Sequence, residues 1–276
     1  MRVFISADME GVAGITDWDQ VRPGAREYEM SRRLMTLECN AAIEGALEAG
    51  VQEIVVSDGH WNGRNLLAEE MHPVAEVLTG SARPLGMCQG IGPGFDAAFF
   101  IGYHAAAGSR DGTLAHTYDS PLAVTEVRLN GKVQSEAALN AAVCGYFECP
   151  LALVSGDATA ISQAHDVVLE VEGVTVKEAT GGHSGRSCHP AEARDRIRAG
   201  ARRAIQRLDS IPLARVESPV ELQMVFTTAA MADQCGQVPD VRRTADTTVC
   251  YRAEDYLQVF KLMLALTTLA AAAMPK

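Results

Sequence analysis

The sequence lacks any apolar run long enough to cross a membrane. Its longest, residues 259–274, is shorter than the roughly 20 residues that a spanning helix needs, and Lys261 interrupts it. No segment with a charged start, an apolar centre and a cleavage site precedes the first predicted strand. We therefore expect a cytoplasmic protein without a membrane partner.

Basic residues are also scarce, with 24 lysines and arginines against 35 acidic residues and a net charge of −11. Because nucleic-acid backbones bind to basic surfaces, this composition argues against a nucleic-acid partner. The only dense basic run, from Arg194 to Arg207, is typical of the solvent face of a helix. Seven cysteines without paired short spacings predict neither a disulfide framework nor a zinc ribbon, and we expect them to be reduced and mostly buried.

Strand-like and helix-like segments alternate along the 276 residues, which favours an α/β architecture. We predict a three-layer α/β/α fold with a mostly parallel or mixed sheet, plus a smaller C-terminal part. A glycine-rich loop at residues 180–185 suggests a site-bearing part, residues 1–180, and a C-terminal part, residues 181–276, with one intertwined domain as the alternative. The last helix is apolar on most faces and should pack inside the chain or against a neighbouring subunit.

The pattern predicts individual elements as well. Strands are expected at residues 2–7, 52–57, 97–103, 150–155, 174–179, 220–228 and 247–253, and a hairpin at 123–133 around Asn130-Gly131. Helices are expected at residues 27–49, 135–146, 190–208 and 255–273. The segment 90–94 is rich in glycine but lacks the lysine and helix start of a phosphate-binding loop, so it is interpreted as a turn.

Two carboxylates directly follow the first predicted strand. Asp8 and Glu10 come after the apolar run of residues 3–7, at the strand end where ligand-binding groups of α/β sheets gather. Residues i and i+2 of an extended chain point to the same side, so the two carboxylates should face one place and repel each other. A divalent cation would remove that repulsion. Alternatively, the two residues cap a helix or stabilise a turn.

Two histidines follow later predicted strands in the same way. His60 comes after the strand at 52–57, and His104 after the strand at 97–103. Each histidine alone is explained by a hydrogen-bonded role in a loop. Together with the carboxylate pair, however, three strand ends supply imidazole and carboxylate groups, which is a ligand set that suits zinc. The sequence therefore predicts one assembled metal site.

Other residues have two explanations from the sequence alone. Glu136 lies one residue inside a predicted helix, where the helix dipole stabilises a carboxylate, yet the preceding hairpin could return it to the same sheet edge. His116, on a loop, is explained equally by a surface role and by a catalytic one. Asp58 and Asp157 either orient ligand histidines or stabilise turns.

A second metal site at His183, Cys188 and His189 would lack a carboxylate partner and a familiar spacing. A solvated loop is the simpler explanation of this segment.

In chain order, the motifs resemble those of a known family. They are Asp8-Met9-Glu10-Gly11, Ser57-Asp58-Gly59-His60, Gly102-Tyr103-His104-Ala105, Ala115-His116, Glu136 with Leu139-Asn140, and Ser155-Gly156-Asp157. Their order and spacing are similar to those of the DppA-type D-aminopeptidases, a family of dinuclear zinc peptidases. The resemblance is specific up to about residue 160 and extends more weakly to the final helix.

The resemblance implies a zinc aminopeptidase that removes the N-terminal residue of short peptides, with D-Ala-like substrates. By resemblance, two zinc ions per chain would be bridged by Asp8 and completed by Glu10, His60, His104 and Glu136. His116 would be the catalytic histidine. The resemblance also implies a ring-shaped homo-oligomer, a decamer.

Two other functions are compatible with the same ligand residues. A two-metal phosphoesterase would need basic residues near the site, and the motifs carry only Arg64 and Arg110. A ring protein that binds metal without catalysis would keep the ligands and lose the chemistry. The presence of all five predicted ligands together with His116 argues against this silent protein.

Overall fold

The computed structural model describes residues 1–118 and 123–274, in which strands and helices alternate. The strands are Arg2–Ala7 (β1), Glu53–Asp58 (β2), Ala75–Leu78 (β3), Ala97–Tyr103 (β4), Val124–Leu129 (β5), Lys132–Val133 (β6), Leu151–Asp157 (β7), Glu172–Gly181 (β8), Ser184–Ser187 (β9), Val220–Phe226 (β10), Arg242–Ala245 (β11) and Thr248–Ala253 (β12). The helices are Trp18–Val21 (α1), Tyr28–Glu48 (α2), Glu136–Tyr146 (α3), Ala158–His165 (α4), Pro190–Gln206 (α5), Ala229–Cys235 (α6) and Tyr256–Ala272 (α7).

The larger sheet has seven strands in the order β3-β2-β1-β4-β7-β8-β9. Neighbouring strands pair in parallel, except that β9 is antiparallel to β8. All residues of β4 and β7 are buried, as are all but the first residue of β1. Continuous apolar runs of this kind are typical of parallel strands that are covered on both faces. The predicted α/β fold with a mostly parallel sheet is confirmed.

Helices α2 and α5 cover the sheet and pack directly on each other. A Cβ atom at Gly45 would lie only 2.1 Å from the carbonyl oxygen of Arg198, so glycine permits this close approach. The basic run lies on the exposed side of α5, where Arg198 pairs with Glu48 and Arg203 pairs with Glu172. The prediction that this run is the solvent face of a helix is confirmed.

A second, five-stranded antiparallel sheet has the order β11-β12-β10-β5-β6. The predicted hairpin forms β5 and β6. Asn130 and Gly131 join the two strands with φ angles of 48° and 80°, and positive φ at both positions is what a type I′ turn requires. This hairpin leads directly into α3 and so places Glu136 beside the larger sheet.

The glycine-rich segment near residue 181 is not the loop that we expected. It forms the β8–β9 hairpin, in which Ala179 pairs with Gly185 and Gly181 with Ser184. The prediction failed because β9 is an edge strand whose residues are half-buried or exposed, so it carries no apolar alternation. The division of the chain at residue 181 stays a prediction.

Helix α7 buries one face and leaves the other partly exposed. Phe260, Met263 and Leu266 are buried in the core, whereas Leu262 and Leu264 are only partly covered. Contact of this face with a neighbouring subunit stays a prediction. Across residues 1–118 and 123–274, no helix has the length and apolar content needed to span a membrane.

The cysteines agree with the sequence-based expectation. All seven are unpaired, and all except the half-buried Cys188 are buried.

Candidate metal centre

Three parallel strands end at the same edge of the larger sheet and bring the predicted ligands together. β1 lies between β2 and β4, with Ala7 opposite both Asp58 and Ile101. The backbone amide of Asp8 donates to the carbonyl of Ile101 at 2.8 Å, which fixes the exit of β1. Because the carboxyl ends of parallel strands share one edge, the residues that follow them converge there.

Two glycines allow the loop after β1 to cross the end of β4. A Cβ atom at Gly11 would lie 1.9 Å from the carbonyl oxygen of Tyr103, and one at Gly102 would lie 2.2 Å from the carbonyl oxygen of Asp8. Gly102 also has a φ of 74°, in the left-handed region that favours glycine. Side chains at these positions would push the Asp8 and His104 segments apart.

The first half of the site contains His60, Glu10 and one oxygen of Asp8. The Nδ1 atom of His60 lies 3.0 Å from Glu10 Oε2 and 3.3 Å from Asp8 Oδ1. On the other side of the ring, Nε2 lies 2.8 Å from the carbonyl oxygen of Val21. A carbonyl oxygen can only accept, so Nε2 carries the proton and Nδ1 presents a lone pair to the carboxylates.

The second half contains His104, Glu136 and the other oxygen of Asp8. The Nε2 atom of His104 lies 3.4 Å from Asp8 Oδ2 and 3.6 Å from Glu136 Oε2. Its Nδ1–H donates to the carbonyl oxygen of Ala105 at 3.0 Å, so this imidazole also turns a lone pair toward the carboxylates. The two oxygens of Asp8 thus face two different histidines.

His116 lies beside the second half of the site. Its ring stacks on that of His104 with centroids 4.1 Å apart, and its Nε2 lies 3.7 Å from Glu136 Oε1. Its Nδ1–H donates to the carbonyl oxygen of Leu114 at 2.8 Å, and the edge of Trp18 packs against the ring. These contacts fix the ring and leave Nε2 as the atom available for chemistry.

The chemistry of this cluster fits a divalent metal. Asp8 Oδ2, Glu10 Oε2 and His104 Nε2 are buried, and none of them has a hydrogen-bond partner among the described residues. Leaving such atoms without partners is costly, and a cation would satisfy all three. Two groups of possible ligands are present, and within each group the donor atoms all lie within 4.8 Å of one another. The groups are Asp8 with Glu10 and His104, and His104 with His116 and Glu136. Zinc accepts both types of donor.

The pKa values describe how the cluster behaves without a cation. Burial alone would lower the pKa of both ligand histidines, but Glu10 and Asp8 raise that of His60, while Glu136 and Asp8 raise that of His104. Burial would raise the pKa of Asp8, but His104 and His60 hold it well below its usual range. Protons therefore compete with a metal for the imidazoles, and we expect metal affinity to fall in acid.

Glu136 is the first residue of α3, and Ser135 caps that helix by accepting from the amide of Ala138. The backbone amide of Tyr118 donates to Glu136 Oε1 at 2.6 Å, which leaves Oε2 facing His104. This contact therefore fixes the orientation of the carboxylate toward the site.

A cavity of about 440 Å³ opens from the cluster. The carboxylates of Asp8, Glu10 and Glu136 line it, together with His60 and His116. Its other walls include Trp18, Trp61, Arg83, Met87, Tyr118, Leu264, Thr267 and Thr268. The sequence analysis did not identify these wall residues, because they come from loops, from α1 and from α7, which are distant from one another in the chain.

The structure favours a structural role for Asp58 and Asp157. The carboxylate of Asp58 accepts from the backbone amides of Asn65 and Leu66 and from the side-chain amide of Asn65. Asp157 caps α4 through the amide of Ala160. Since the ring protons of His60, His104 and His116 go to backbone carbonyls, neither aspartate orients a predicted site histidine.

The segment with His183, Cys188 and His189 forms no metal-type cluster among the described residues. His183 Nδ1 lies 3.6 Å from Asp17 Oδ2, and His189 caps α5 by accepting from the amide of Ala191. The two ligand clusters found in the described part of the chain both belong to the centre at the sheet edge.

Lys177 supports the loop that carries Glu10, and the sequence analysis missed it. This lysine on β8 is only 1% exposed, and its ammonium group donates to the carbonyl oxygens of Glu10, Val12 and Ile15. Fully buried lysines are rare, and its position inside the apolar strand is the only signal that the sequence offers. The contact fixes the main chain on both sides of Gly11.

Glu38 contacts the same loop from α2 and gives it a pH-dependent stability. Its Oε1 accepts from the amide of Ala13 at 3.0 Å, and burial raises its pKa from the usual 4.5 to about 7. Between these two values the folded protein binds more protons than the unfolded chain, so this group makes the protein less stable as the pH rises.

We expect Glu38→Gln to remove that loss, because the amide keeps an acceptor for Ala13 and cannot ionise. A pKa shift of this size corresponds to roughly 3 kcal/mol. The free energy of unfolding of the variant should therefore exceed that of the original chain by up to this amount at pH 8 and by little at pH 5. Urea unfolding of metal-depleted protein at several pH values measures the difference. A difference that does not change with pH would contradict the prediction.

A sequence profile, a related sequence and a solved structure all indicate the same protein family. The sequence profile of the D-aminopeptidase family matches residues 1–265. A D-aminopeptidase of Bacillus subtilis is 33% identical over 272 residues, which cover 98% of each chain. The solved structure of the Zn-dependent D-aminopeptidase DppA from Bacillus subtilis, described as a self-compartmentalizing protease, is similar with a TM-score of 0.95, 31% identity and 98% coverage of both chains.

Proposed function

Because the chain belongs to the D-aminopeptidase family, we propose that it removes the N-terminal D-residue from short peptides with two zinc ions held at the sheet edge. The family and the similar solved structure both support a zinc-dependent D-aminopeptidase activity. The observation that carries the two-zinc proposal is the arrangement of Asp8, whose two oxygens face the separate imidazoles of His60 and His104.

In this proposal Asp8 would help to hold both metal ions, because its two oxygens face different histidines. His60 Nδ1 and Glu10 would complete the first position, and His104 Nε2 and Glu136 the second. When bound, a zinc pair supplies Lewis acidity to the scissile carbonyl and to the attacking water. The free amine of the substrate, when protonated, is attracted to the carboxylates of the cavity wall. When neutral, it could bind a metal ion held by those carboxylates.

His116 is proposed as the group that transfers a proton. The hydrogen bond from Nδ1 to Leu114 leaves Nε2 facing the cavity, where it can take up a proton from the attacking water and pass it to the leaving amine. Glu136 Oε1, at 3.7 Å, is placed to stabilise the imidazolium that forms between these two steps. The packing of Trp18 and His104 against the ring keeps this geometry.

We further propose a cytoplasmic ring of identical subunits, a decamer, that encloses the sites. The similar Bacillus subtilis structure is described as self-compartmentalizing, which supports an assembly of this kind. In this chain, the half-exposed apolar face of α7 and the 74% exposed Leu169 offer surface for subunit contacts. Light scattering at micromolar concentration would measure the assembly, and a monomer would contradict it.

Removal and return of zinc test the proposed function. Protein purified with zinc should contain two zinc ions per chain by mass spectrometry and hydrolyse D-alanine amide much faster than L-alanine amide. A chelator should abolish hydrolysis, and added zinc should restore it. A stoichiometry of one or none would contradict the dinuclear site, and full activity after complete metal removal would contradict the mechanism.

A further inference from the structure

Arg83 is the only lysine or arginine among the described residues that line the cavity. The other charged groups of the cavity wall include the carboxylates of Asp8, Glu10, Asp58 and Glu136. An otherwise acidic cavity thus contains one permanent positive charge.

This guanidinium is half-buried and has no carboxylate partner in the described part of the chain. Its Nη1 donates to Ser57 Oγ at 3.1 Å and to the backbone carbonyl of Asp58 at 2.7 Å, and its Nη2 donates to the carbonyl of Gly63 at 3.4 Å. All three acceptors are neutral. The carboxylate of Asp58 attracts the guanidinium through space but forms no hydrogen bond with it, because it accepts from Asn65 and Leu66 instead.

The guanidinium also has N–H groups that are free to bind a ligand. Arginine has five N–H groups, and the three hydrogen bonds leave Nε–H and one Nη2–H without an acceptor among the described residues. Adjacent Nε and Nη2 hydrogens are the pair that binds both oxygens of a carboxylate.

A short peptide carries the complementary charges. Its α-ammonium group is attracted to the acidic wall, and its α-carboxylate is attracted to Arg83, which supplies the only guanidinium or ammonium group among the described residues of the cavity wall. A half-buried guanidinium that has no carboxylate in direct contact is stabilised when a ligand supplies one.

We propose that Arg83 binds the terminal carboxylate of the substrate, so that the enzyme prefers short peptides with a free C-terminus. This inference rests on the proposed function, whose substrate class it narrows. Arg83 is then a specificity-determining residue that contacts the substrate at the end opposite to the bond-breaking chemistry.

The test combines two substrates with three variants. D-Ala-D-Ala and its C-terminal amide contain the same scissile bond and differ only in the terminal carboxylate. For Arg83→Gln we expect KM for D-Ala-D-Ala to rise by roughly tenfold to a hundredfold, the usual range for a lost hydrogen bond to a charged group, with KM for the amide nearly unchanged. Arg83→Lys should recover part of the loss. Arg64→Gln is the matched control, because Arg64 is exposed and lies outside the cavity lining.

The result also separates substrate binding from a structural role, since Arg83 contacts the segment that leads to His60. A purely structural arginine would affect both substrates equally and lower the zinc content, and that outcome would overturn the proposal. If the zinc-loaded original chain hydrolyses neither compound, the proposed function fails instead. Calorimetric binding of the same two compounds then still tests Arg83, and equal affinity for both would refute its role.

Discussion

Replacing Asp8 with alanine is expected to remove both metal ions and to reduce hydrolysis by at least about a thousandfold. The reason is that each carboxylate oxygen serves a different half of the site, at 3.3 Å from His60 Nδ1 and 3.4 Å from His104 Nε2. A lost Lewis-acid contribution of several kcal/mol corresponds to a rate change of this order. Zinc analysis by mass spectrometry and turnover of D-alanine amide measure the two effects.

Glu10→Ala is the control for this experiment. Its carboxylate approaches His60 Nδ1 at 3.0 Å, so its removal should weaken chiefly one of the two metals. The pair of variants therefore distinguishes a bridging ligand from a terminal one. If Asp8→Ala keeps two zinc ions per chain, or if both variants lose the same single ion, Asp8 does not bridge.

The second large effect is expected for His116→Ala. This variant should fold and keep its zinc while its kcat falls by roughly a hundredfold or more, the usual effect of losing a group that transfers protons. KM should change less, because the binding groups remain in place. The measurements are zinc content, the far-ultraviolet circular dichroism spectrum and steady-state kinetics.

His116 requires this test because its position is compatible with proton transfer and with metal binding. Its Nε2 atom belongs to a group with His104 and Glu136 whose donor atoms lie within 4.8 Å of one another, so geometry alone also permits metal binding. His104→Ala provides the comparison for a lost ligand and should lose zinc. If His116→Ala loses zinc as well, His116 is a ligand; if it keeps both zinc and activity, it is an ordinary loop histidine.

Much of the fold followed from local pattern. The buried parallel strands have continuous apolar runs, Asn130-Gly131 forms the predicted turn, and Ser135 caps the predicted helix. Edge elements were missed or misassigned because they are partly exposed. β3 has no fully buried residue, and the Gly181 segment looked like a loop although its backbone pairs in a hairpin.

The sequence by itself determined which groups would gather at the edge of the larger sheet. Asp8, His60 and His104 follow apolar runs, and parallel pairing brings such strand ends together regardless of how far apart they lie in the chain. The strand ends therefore predicted the presence and the chemical type of the site, whereas the roles of Glu136 and His116 depended on a family resemblance.

Only the tertiary structure decided how these groups are oriented and what surrounds them. The proton of His60 is fixed by the carbonyl of Val21, and the loop of Glu10 is held by Lys177, which is 167 residues away in the chain. Arg83 reaches the cavity through contacts with Ser57 and Gly63. Such contacts depend on where loops meet after folding, and no local periodicity encodes them, because hydrogen bonds between distant segments impose no pattern on the intervening chain.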